Sequence, residues 1–284
     1  MLEQDDPDAK PFIKWAGGKR HLLSKIDRFL PQIGETTNYY EPFLGSGAMF
    51  FHLRPKSAIL SDCLLDVVTA FRVVRDNVED LIETLKPLEE GHKTRGSDFY
   101  YEVRRQDPKM LDNVHRAARF IYLNKTCYNG IYRVNSKGEF NVPIGLYKNP
   151  NILDAKTLRA ASLVVKNASI RQADYTKSLQ RVSKGDFVYL DPPYFGRFTS
   201  YHENGFGKDK QRELAEWFRR LHDRGAYLLM SNGAGEEIMR LYTEFNPIKL
   251  MNRVYLSGKL EGRRNMLELL VLNYDPTNGE LVHV

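Results

Sequence analysis

"VYLDPPYFG", residues Val188 to Gly196, decides how this chain is built. Val188, Tyr189 and Leu190 make an apolar run of the kind that forms a buried strand, and an acid and two prolines stop it. Proline has no N–H to give a sheet ladder, so the strand must end here. Each proline also biases the residue before it toward extended geometry, which stiffens Asp191 and Pro192. The product is a rigid corner at a strand's C-terminal edge. It offers the Asp191 carboxylate, backbone carbonyls and the flat ring of Tyr194. Alone, such a corner is equally a proline-rich turn; the surrounding chain has to decide.

Strands and helices alternate on either side of it. "NYYEPF" (Asn38–Phe43) predicts a short strand, and "LGSGAMFFHL" a glycine turn running into a helix. "SAILSD" (Ser57–Asp62) predicts a second strand ending in an acid, and apolar spacing from Leu64 to about Leu85 is helical. Further on, "LVVKNASIRQAD", "DFVYLDPPY" and "AYLLMSNG" predict strands, with the helix "KDKQRELAEWFRRLHDRG" before the last. Ile248–Leu256 and Met266–Tyr274 suggest two antiparallel strands. Such alternation means an α/β fold with a doubly wound, mostly parallel sheet. In these sheets ligands bind beyond the carboxyl ends of the strands. Phe43–Gly47, Asp62 and Asp191–Tyr194 all fall there.

The middle of the chain, about 90–150, breaks the pattern. It is polar, basic and aromatic, with helical stretches near Ser97–Arg105 and Val114–Asn124 and a hairpin turn at Asn135–Gly138. Between Arg104 and Lys148 stand nine Lys/Arg against three Asp/Glu, a surplus that equals the +6 of the whole chain. Phe120, Tyr122, Tyr128, Tyr132, Phe140 and Tyr147 are interleaved with them. Cations for phosphates and rings for bases are what a nucleic-acid surface needs; a solvated charged face over core aromatics has the same composition. The expected organisation is a discontinuous catalytic domain, 1–65 and 153–284, carrying an inserted recognition domain, 66–152.

Composition excludes several classes. With only Cys63 and Cys127, no CxxC and no HExxH, there is no signature of structural or catalytic zinc, and no metal is expected. The two cysteines suit a reducing compartment. The opening "MLEQDDPDAK" lacks the apolar core of a signal peptide, and no apolar run is long enough to span a membrane. A cytoplasmic monomer is expected.

Two glycine stretches narrow the ligand. "EPFLGSGAMF" sets Gly45 and Gly47 in a G-x-G turn, where glycine allows close approach of a ligand to the backbone. Phe50 replaces the third glycine of a dinucleotide fingerprint, which disfavours nicotinamide and flavin. Asp62, 17 residues past Gly45, is placed to accept hydrogen bonds from ribose hydroxyls. "FIKWAGGKR" carries Arg20 where a phosphate loop needs Ser or Thr, so an NTPase is disfavoured. Its Gly-Gly turn, flanked by Trp15 and Lys19, suits a cofactor with an amino-acid moiety, whose carboxylate Lys19 would meet.

With "FIKWAGGK" (Phe12–Lys19), "EPFLGSGA" (Glu41–Ala48), "YNGIYR" (Tyr128–Arg133), "GEFNVPIGLYK" (Gly138–Lys148) and "DPPY" (Asp191–Tyr194) in that order, the chain resembles the DNA adenine-N6 methyltransferases of the Dam family, the D12 class. The resemblance runs from about Phe12 to Tyr274. It implies a Rossmann-like methyltransferase sheet with a mostly helical inserted DNA-recognition domain. The implied reaction is methyl transfer from S-adenosylmethionine to N6 of a flipped-out adenine in duplex DNA, with GATC as the target. By the same resemblance Trp15, Ala16, Gly17, Lys19, Phe43, Gly45, Gly47, Asp62, Asp174 and Asp191 would hold the cofactor. Asp191, Pro192, Pro193 and Tyr194 would form the catalytic corner, with Tyr194 stacked on the target base. Tyr128 and Asn129 would stand at the unstacked base and Arg133 on a guanine edge; Ile131 and Pro143 would meet a thymine methyl, and Lys14 and Tyr147 other bases. A restriction endonuclease cognate for the same site is a further partner the family allows. The chain departs from its relatives at Leu146, where they often carry Arg, and in a short loop after Tyr194. An amino-methyltransferase of another DNA motif or of RNA, and a non-catalytic DNA-binding relative, remain the alternative readings.

Overall fold

The computed structural model describes residues 9–15, 19, 22–32, 34, 37–194, 206–245, 247–255 and 263–283, with backbone alone at 251–255 and 263–266. Ala16, Gly17 and the short loop after Tyr194 lie outside the described residues. In chain order the strands are β1 (Tyr39–Glu41), β2 (Ala58–Asp62), β3 (Ala168–Gln172), β4 (Phe187–Leu190), β5 (Tyr227–Gly233), β6 (Ile248–Tyr255) and β7 (Arg263–Leu272). The helices are α1 (Leu23–Ile26), α2 (Ala48–Leu53), α3 (Leu65–Asp76), α4 (Val78–Arg105), α5 (Asn113–Thr126), α6 (Ala155–Val165), α7 (Tyr175–Leu179), α8 (Lys208–Asp223) and α9 (Glu236–Leu241). The strands make a seven-stranded mixed sheet in the order β3-β2-β1-β4-β5-β7-β6. This is the expected α/β architecture: β2–β3, β1–β4 and β4–β5 pair in parallel, and β7 pairs antiparallel with both β5 and β6. Among the described residues no helix is long and apolar enough to cross a membrane.

The chain divides into two compact units. One comprises Met1–Arg20 and Leu44–Asp174, the other His21–Phe43 and Tyr175–Val284. In the first, β2 and β3 pair in parallel from Ala58–Ala168 to Asp62–Gln172. The long connection between them holds α3 to α6. Phe12 packs on Phe51 and Phe71, with ring centroids 6.4 and 4.8 Å away. Leu81, Leu85, Tyr100 and Ile121 complete a buried helical core. Burying each such side chain contributes roughly 1.5–3 kcal/mol before chain entropy is counted.

Of three sequence expectations in this unit, two shift and one stands. The helix foreseen over Leu64–Leu85 is two helices, because Asn77 (φ −141°, ψ 42°) leaves helical geometry between α3 and α4. The helix expected from Ser97 is the second limb of α4, beyond a break at Gly96 (φ 51°, ψ −119°). The hairpin shrinks to a single bridge between Val134 and Phe140 around the expected turn, where the Asn135 N–H donates to the Glu139 carbonyl at 2.9 Å. In addition, "LVV" at 163–165 ends α6 rather than starting β3. Asp154 caps that helix by accepting from the Thr157 N–H at 3.0 Å, and Leu158, Ala161 and Val165 give it a buried face at helical spacing.

In the second unit β4 pairs in parallel with both β1 and β5, and all four of its residues are buried. A strand covered on both faces needs the continuous apolar run that Phe187–Leu190 supplies. Leu214, Trp217, Phe218 and Leu221 recur at i, i+3, i+4 and i+7 along α8 and bury one face of it. The sheet reverses its strand order between β1 and β4. That is the switch point at which open α/β sheets bind ligands.

Candidate active site

The first constellation lies at the carboxyl end of β2. Asp62, the strand's last residue, is buried, and each carboxylate oxygen accepts a backbone N–H at 2.9 Å: Oδ2 from Gly45 and Oδ1 from Leu64. The strand-end acid thus clasps the glycine turn that the sequence set 17 residues away. Gly45 sits at φ +48°, and a Cβ there would stand 2.6 Å from Nε1 of Trp15. Only glycine lets the indole lie against this turn. Gly45→Ala should therefore cost about 1–2 kcal/mol of left-handed strain plus the displacement of Trp15. Thermal unfolding checks this, and an unchanged midpoint would mean the turn re-forms without glycine. Lys19 is buried beside this segment in sequence, and Asp174 is exposed two residues past β3.

The second constellation, in the same unit, is the basic-aromatic segment. The Tyr128 N–H donates to the Pro143 carbonyl at 2.9 Å and the Gly145 N–H to the Thr126 carbonyl at 2.8 Å, which ties 126–131 to 142–147. Asn129 adopts the left-handed conformation (φ 53°), and Gly130 (φ 62°) lies so close to Lys14 that a Cβ would meet its side chain at 2.6 Å. Asn124 locks Lys14 in place: its Oδ1 accepts the Lys14 N–H and its Nδ2 donates to the Lys14 carbonyl, both at 2.8 Å. The Lys14 ammonium donates to the Lys125 carbonyl at 3.0 Å and stands 3.7 Å above the Tyr147 ring. Burial lowers its pKa from the ordinary lysine value, partly opposed by Cys127. Tyr128, Asn129, Arg133, Pro143 and Tyr147 are exposed and Ile131 half-buried, so these side chains form a surface. Arg133 Nε donates to Asn141 Oδ1 at 2.7 Å, while Leu146 is 95% exposed.

The third constellation, in the second unit, is the corner itself. β4 ends at Leu190; Asp191, Pro193 and Tyr194 are half-buried and Pro192 is buried. Asp191 Oδ1 accepts the Ser231 hydroxyl at 3.0 Å. The Pro193 carbonyl accepts Gln211 Nε2 at 3.1 Å, and the Tyr194 hydroxyl donates to the buried Glu268 carboxylate. Phe43, just past β1, stacks on Tyr175 at 5.2 Å and 26° and meets Phe206 edge-on at 5.6 Å. Under the same sheet face Tyr39 donates to Glu41 at 2.7 Å; burial, then the Glu41 charge, keep this phenol far above its usual pKa and therefore a donor. Among the described residues no group of three or more His, Cys, Asp or Glu is arranged to hold a metal ion.

A carboxylate, a proline carbonyl and a ring, held at a strand end, suit an amino group on a flat base. The family described as D12 class N6 adenine-specific DNA methyltransferase matches residues 15–256. The chain belongs to this family. It is an adenine-specific DNA methyltransferase. Among curated relatives, type II methyltransferase M.MjaIII of Methanocaldococcus jannaschii is 41% identical over 94% of this chain and 100% of its own length. Type II methyltransferase M1.LlaDCHI of Lactococcus lactis is 36% identical over 96% and 99%. DNA adenine methylase of Escherichia coli K12 is 33% identical over 94% and 96%.

Four residues of this methyltransferase that touch the corner or the basic-aromatic surface gave no sequence signal of their own. Ser231, Gln211 and Glu268 reach the corner from 18 to 74 residues away, and Asn124 grips Lys14 across 110. A faint trace exists in "LLMSNG", where two polar residues close an otherwise apolar strand.

Proposed function

We propose that the enzyme methylates N6 of adenine within GATC in duplex DNA, with S-adenosylmethionine as donor and the target base flipped out of the helix. What carries this reading is the corner after β4, where one carboxylate oxygen of Asp191 is held by Ser231 and the ring of Tyr194 is tied by its hydroxyl. The residues present fit the cofactor chemically. Lys19 is a buried cation for its carboxylate; Asp62 and Asp174 are strand-end acids for hydroxyl and amino groups; Phe43 is a ring for the purine; and Gly45, backed by Trp15, keeps the turn bare of side chains. Ala16, Gly17 and Gly47 complete the proposed set. When bound, the cofactor supplies a methyl group activated by the positive sulfur.

The chain's own residues do the remainder. The N6 lone pair of adenine is delocalised into the ring, which makes the amine a poor nucleophile. Asp191 and the Pro192 carbonyl are two acceptors for its two N–H groups, and together they favour a pyramidal nitrogen with an available lone pair. Pro193 stiffens the corner, and Tyr194 stacks on the base, whose extrusion costs a few kcal/mol. No covalent enzyme intermediate is required, since orientation alone is worth up to roughly 7–11 kcal/mol in favourable cases.

In this reading 66–152 is the target-recognition domain and 1–65 with 153–284 the catalytic domain. Tyr128 and Asn129 face the opened base position, Arg133 reads a guanine edge, Ile131 and Pro143 take a thymine methyl, and Lys14 and Tyr147 contact neighbouring bases. The enzyme would act as a monomer in the cytoplasm, held at the nucleoid through DNA. The type II names of two relatives suggest a cognate endonuclease for the same site. Label transfer from tritiated S-adenosylmethionine to duplexes with and without GATC, followed by nucleoside analysis, tests the whole reading. Label outside N6-methyladenine removes it, and equal labelling of both duplexes removes GATC.

Base reading has its own test. Arg133→Ala should lower discrimination at one base pair by roughly 1–3 kcal/mol, seen in kcat/KM across GATC sites altered one position at a time. Lys148→Ala, at an exposed cation of the same segment, should weaken every duplex alike and flatten the salt dependence. If Arg133→Ala depresses all sites equally, the arginine grips backbone and the GATC assignment loses its main support.

A further inference from the structure

Asp191, just past the end of β4, and Ser231, on the adjacent parallel strand β5, lie one step past the Leu190–Met230 register pair. Side chains alternate along a strand, so Tyr189, Asp191 and Ser231 share one sheet face, and Leu190 and Asn232 lie on the other. On the first face Tyr189 Oη and Ser231 Oγ are 2.9 Å apart, and Ser231 Oγ is 3.0 Å from Asp191 Oδ1. Tyr189 and Ser231 are both buried. The proton order follows from chemistry. The Ser231 hydroxyl donates its one hydrogen to Asp191, so Tyr189 must be the donor to Ser231. The chain therefore runs Tyr189 to Ser231 to Asp191.

The opposite face carries a second chain with equally determined polarity. Asn232 Oδ1 accepts the Gly233 N–H at 2.8 Å, so its Nδ2 donates to Gln211 Oε1 at 3.0 Å, which leaves Gln211 Nε2 to donate to the Pro193 carbonyl at 3.1 Å. Asn232 and Gln211 are also buried. One chain fixes the peptide after the second proline; the other fixes the carboxylate before the first.

We infer that Ser231 is a positioning residue for methyl transfer, holding Asp191 through Oδ1 so that its carboxylate keeps one orientation toward the amine. The inference rests on the reading that Asp191 receives the adenine amine. It adds the part that sets that geometry, in a residue buried in β5 that has no need to touch substrate. Fixing the carboxylate before the base arrives removes a rotation that would otherwise have to be frozen during the reaction.

The test is Ser231→Ala, followed by single-turnover methyl transfer and by separate titrations of S-adenosylmethionine and of duplex DNA. The methyl-transfer rate should fall about 10- to 100-fold, the scale on which small misplacements act, while both affinities stay within about twofold. Ser231→Thr, which returns the hydroxyl, should recover most of the rate. If either variant folds poorly, Ser231→Cys, close in size and a weak donor, should fall between serine and alanine. Tyr189→Phe keeps the serine–aspartate bond and should stay within about threefold of wild type. An unchanged rate in Ser231→Ala overturns the inference. So does a Tyr189→Phe loss as large as that of Ser231→Ala, which would point to packing between β4 and β5 instead. A wild type that leaves adenine unmodified removes the parent reading, and the inference with it; an active wild type with an equally active Ser231→Ala removes the inference alone.

Discussion

Asp191→Ala should leave a folded chain that binds DNA and should lower methyl transfer by about a thousandfold or more. The size follows from what the side chain does. Deleting a single preorganised partner of a developing charge costs about 10²–10³ in rate, and in the proposed mechanism Asp191 both orients the amine and faces the positive charge that grows on nitrogen. The loss belongs to the chemical step, so single-turnover rate and kcat/KM should fall together while duplex affinity holds. Stability should drop far less. Asp191 is half-buried beyond the last residue of β4, and its removal leaves the Ser231 hydroxyl without this acceptor, worth roughly 1–3 kcal/mol. Asp191→Asn separates the two effects. Its amide oxygen can still accept from Ser231, so stability should recover while the charge, and most of the rate, do not. A near-normal single-turnover rate in Asp191→Ala would reduce the residue to a turn former.

The parts of this site that were legible in the sequence are those whose geometry is enforced locally. Two prolines end a strand wherever they fall, and a G-x-G between strand and helix implies a bare turn; β4, the turn at Gly45 and the acid ending β2 emerged where the pattern put them. What stayed hidden is what only the sheet brings together. Ser231 is 40 residues from Asp191 and Glu268 is 74 from Tyr194, and nothing in a strand's alternation names its partner across the ladder. Helix limits failed for a related reason. Apolar spacing continues through Leu64–Leu85, yet Asn77 turns the chain between α3 and α4, and the packing of α4 on α5 decides where each helix points. The basic surplus between Arg104 and Lys148 did not say which of its cations are structural and which lie at the surface. Arg119 is buried and donates to the Val103 and Arg104 carbonyls, whereas Arg133 is exposed.

Asp66 shows how far a role can lie from its sequence signal, and its removal should be the most destabilising single change among those considered. By sequence it is a first-turn acid, worth well under 1 kcal/mol through the helix dipole. In the fold it is buried, with Oδ1 accepting from Arg116 Nε at 2.6 Å and Oδ2 from the Tyr132 hydroxyl at 2.9 Å. One carboxylate therefore joins α3 to α5 and to the strip that carries Tyr128–Arg133. Burial first, and the Asp66 charge second, raise the Tyr132 pKa far above its usual value, so this phenol remains a donor at any working pH. Asp66→Ala leaves Arg116 without its counter-charge and Tyr132 without its acceptor. Breaking such a pair from one side costs about 3–5 kcal/mol, a large share of a typical domain's stability. Tyr132→Phe, which removes one hydrogen bond and keeps the ring, should cost roughly 0.5–1.5 kcal/mol. The double variant should then lose less than the sum, because both changes sever one network. Urea unfolding with an unchanged m-value is the measurement. The strip should also loosen, so on the proposed reading base discrimination in Asp66→Ala should decline even where the enzyme is fully folded. An Asp66→Ala variant within about 1 kcal/mol of wild type, the range of an exposed ion pair, would show that α3, α5 and the strip are held by apolar packing without it.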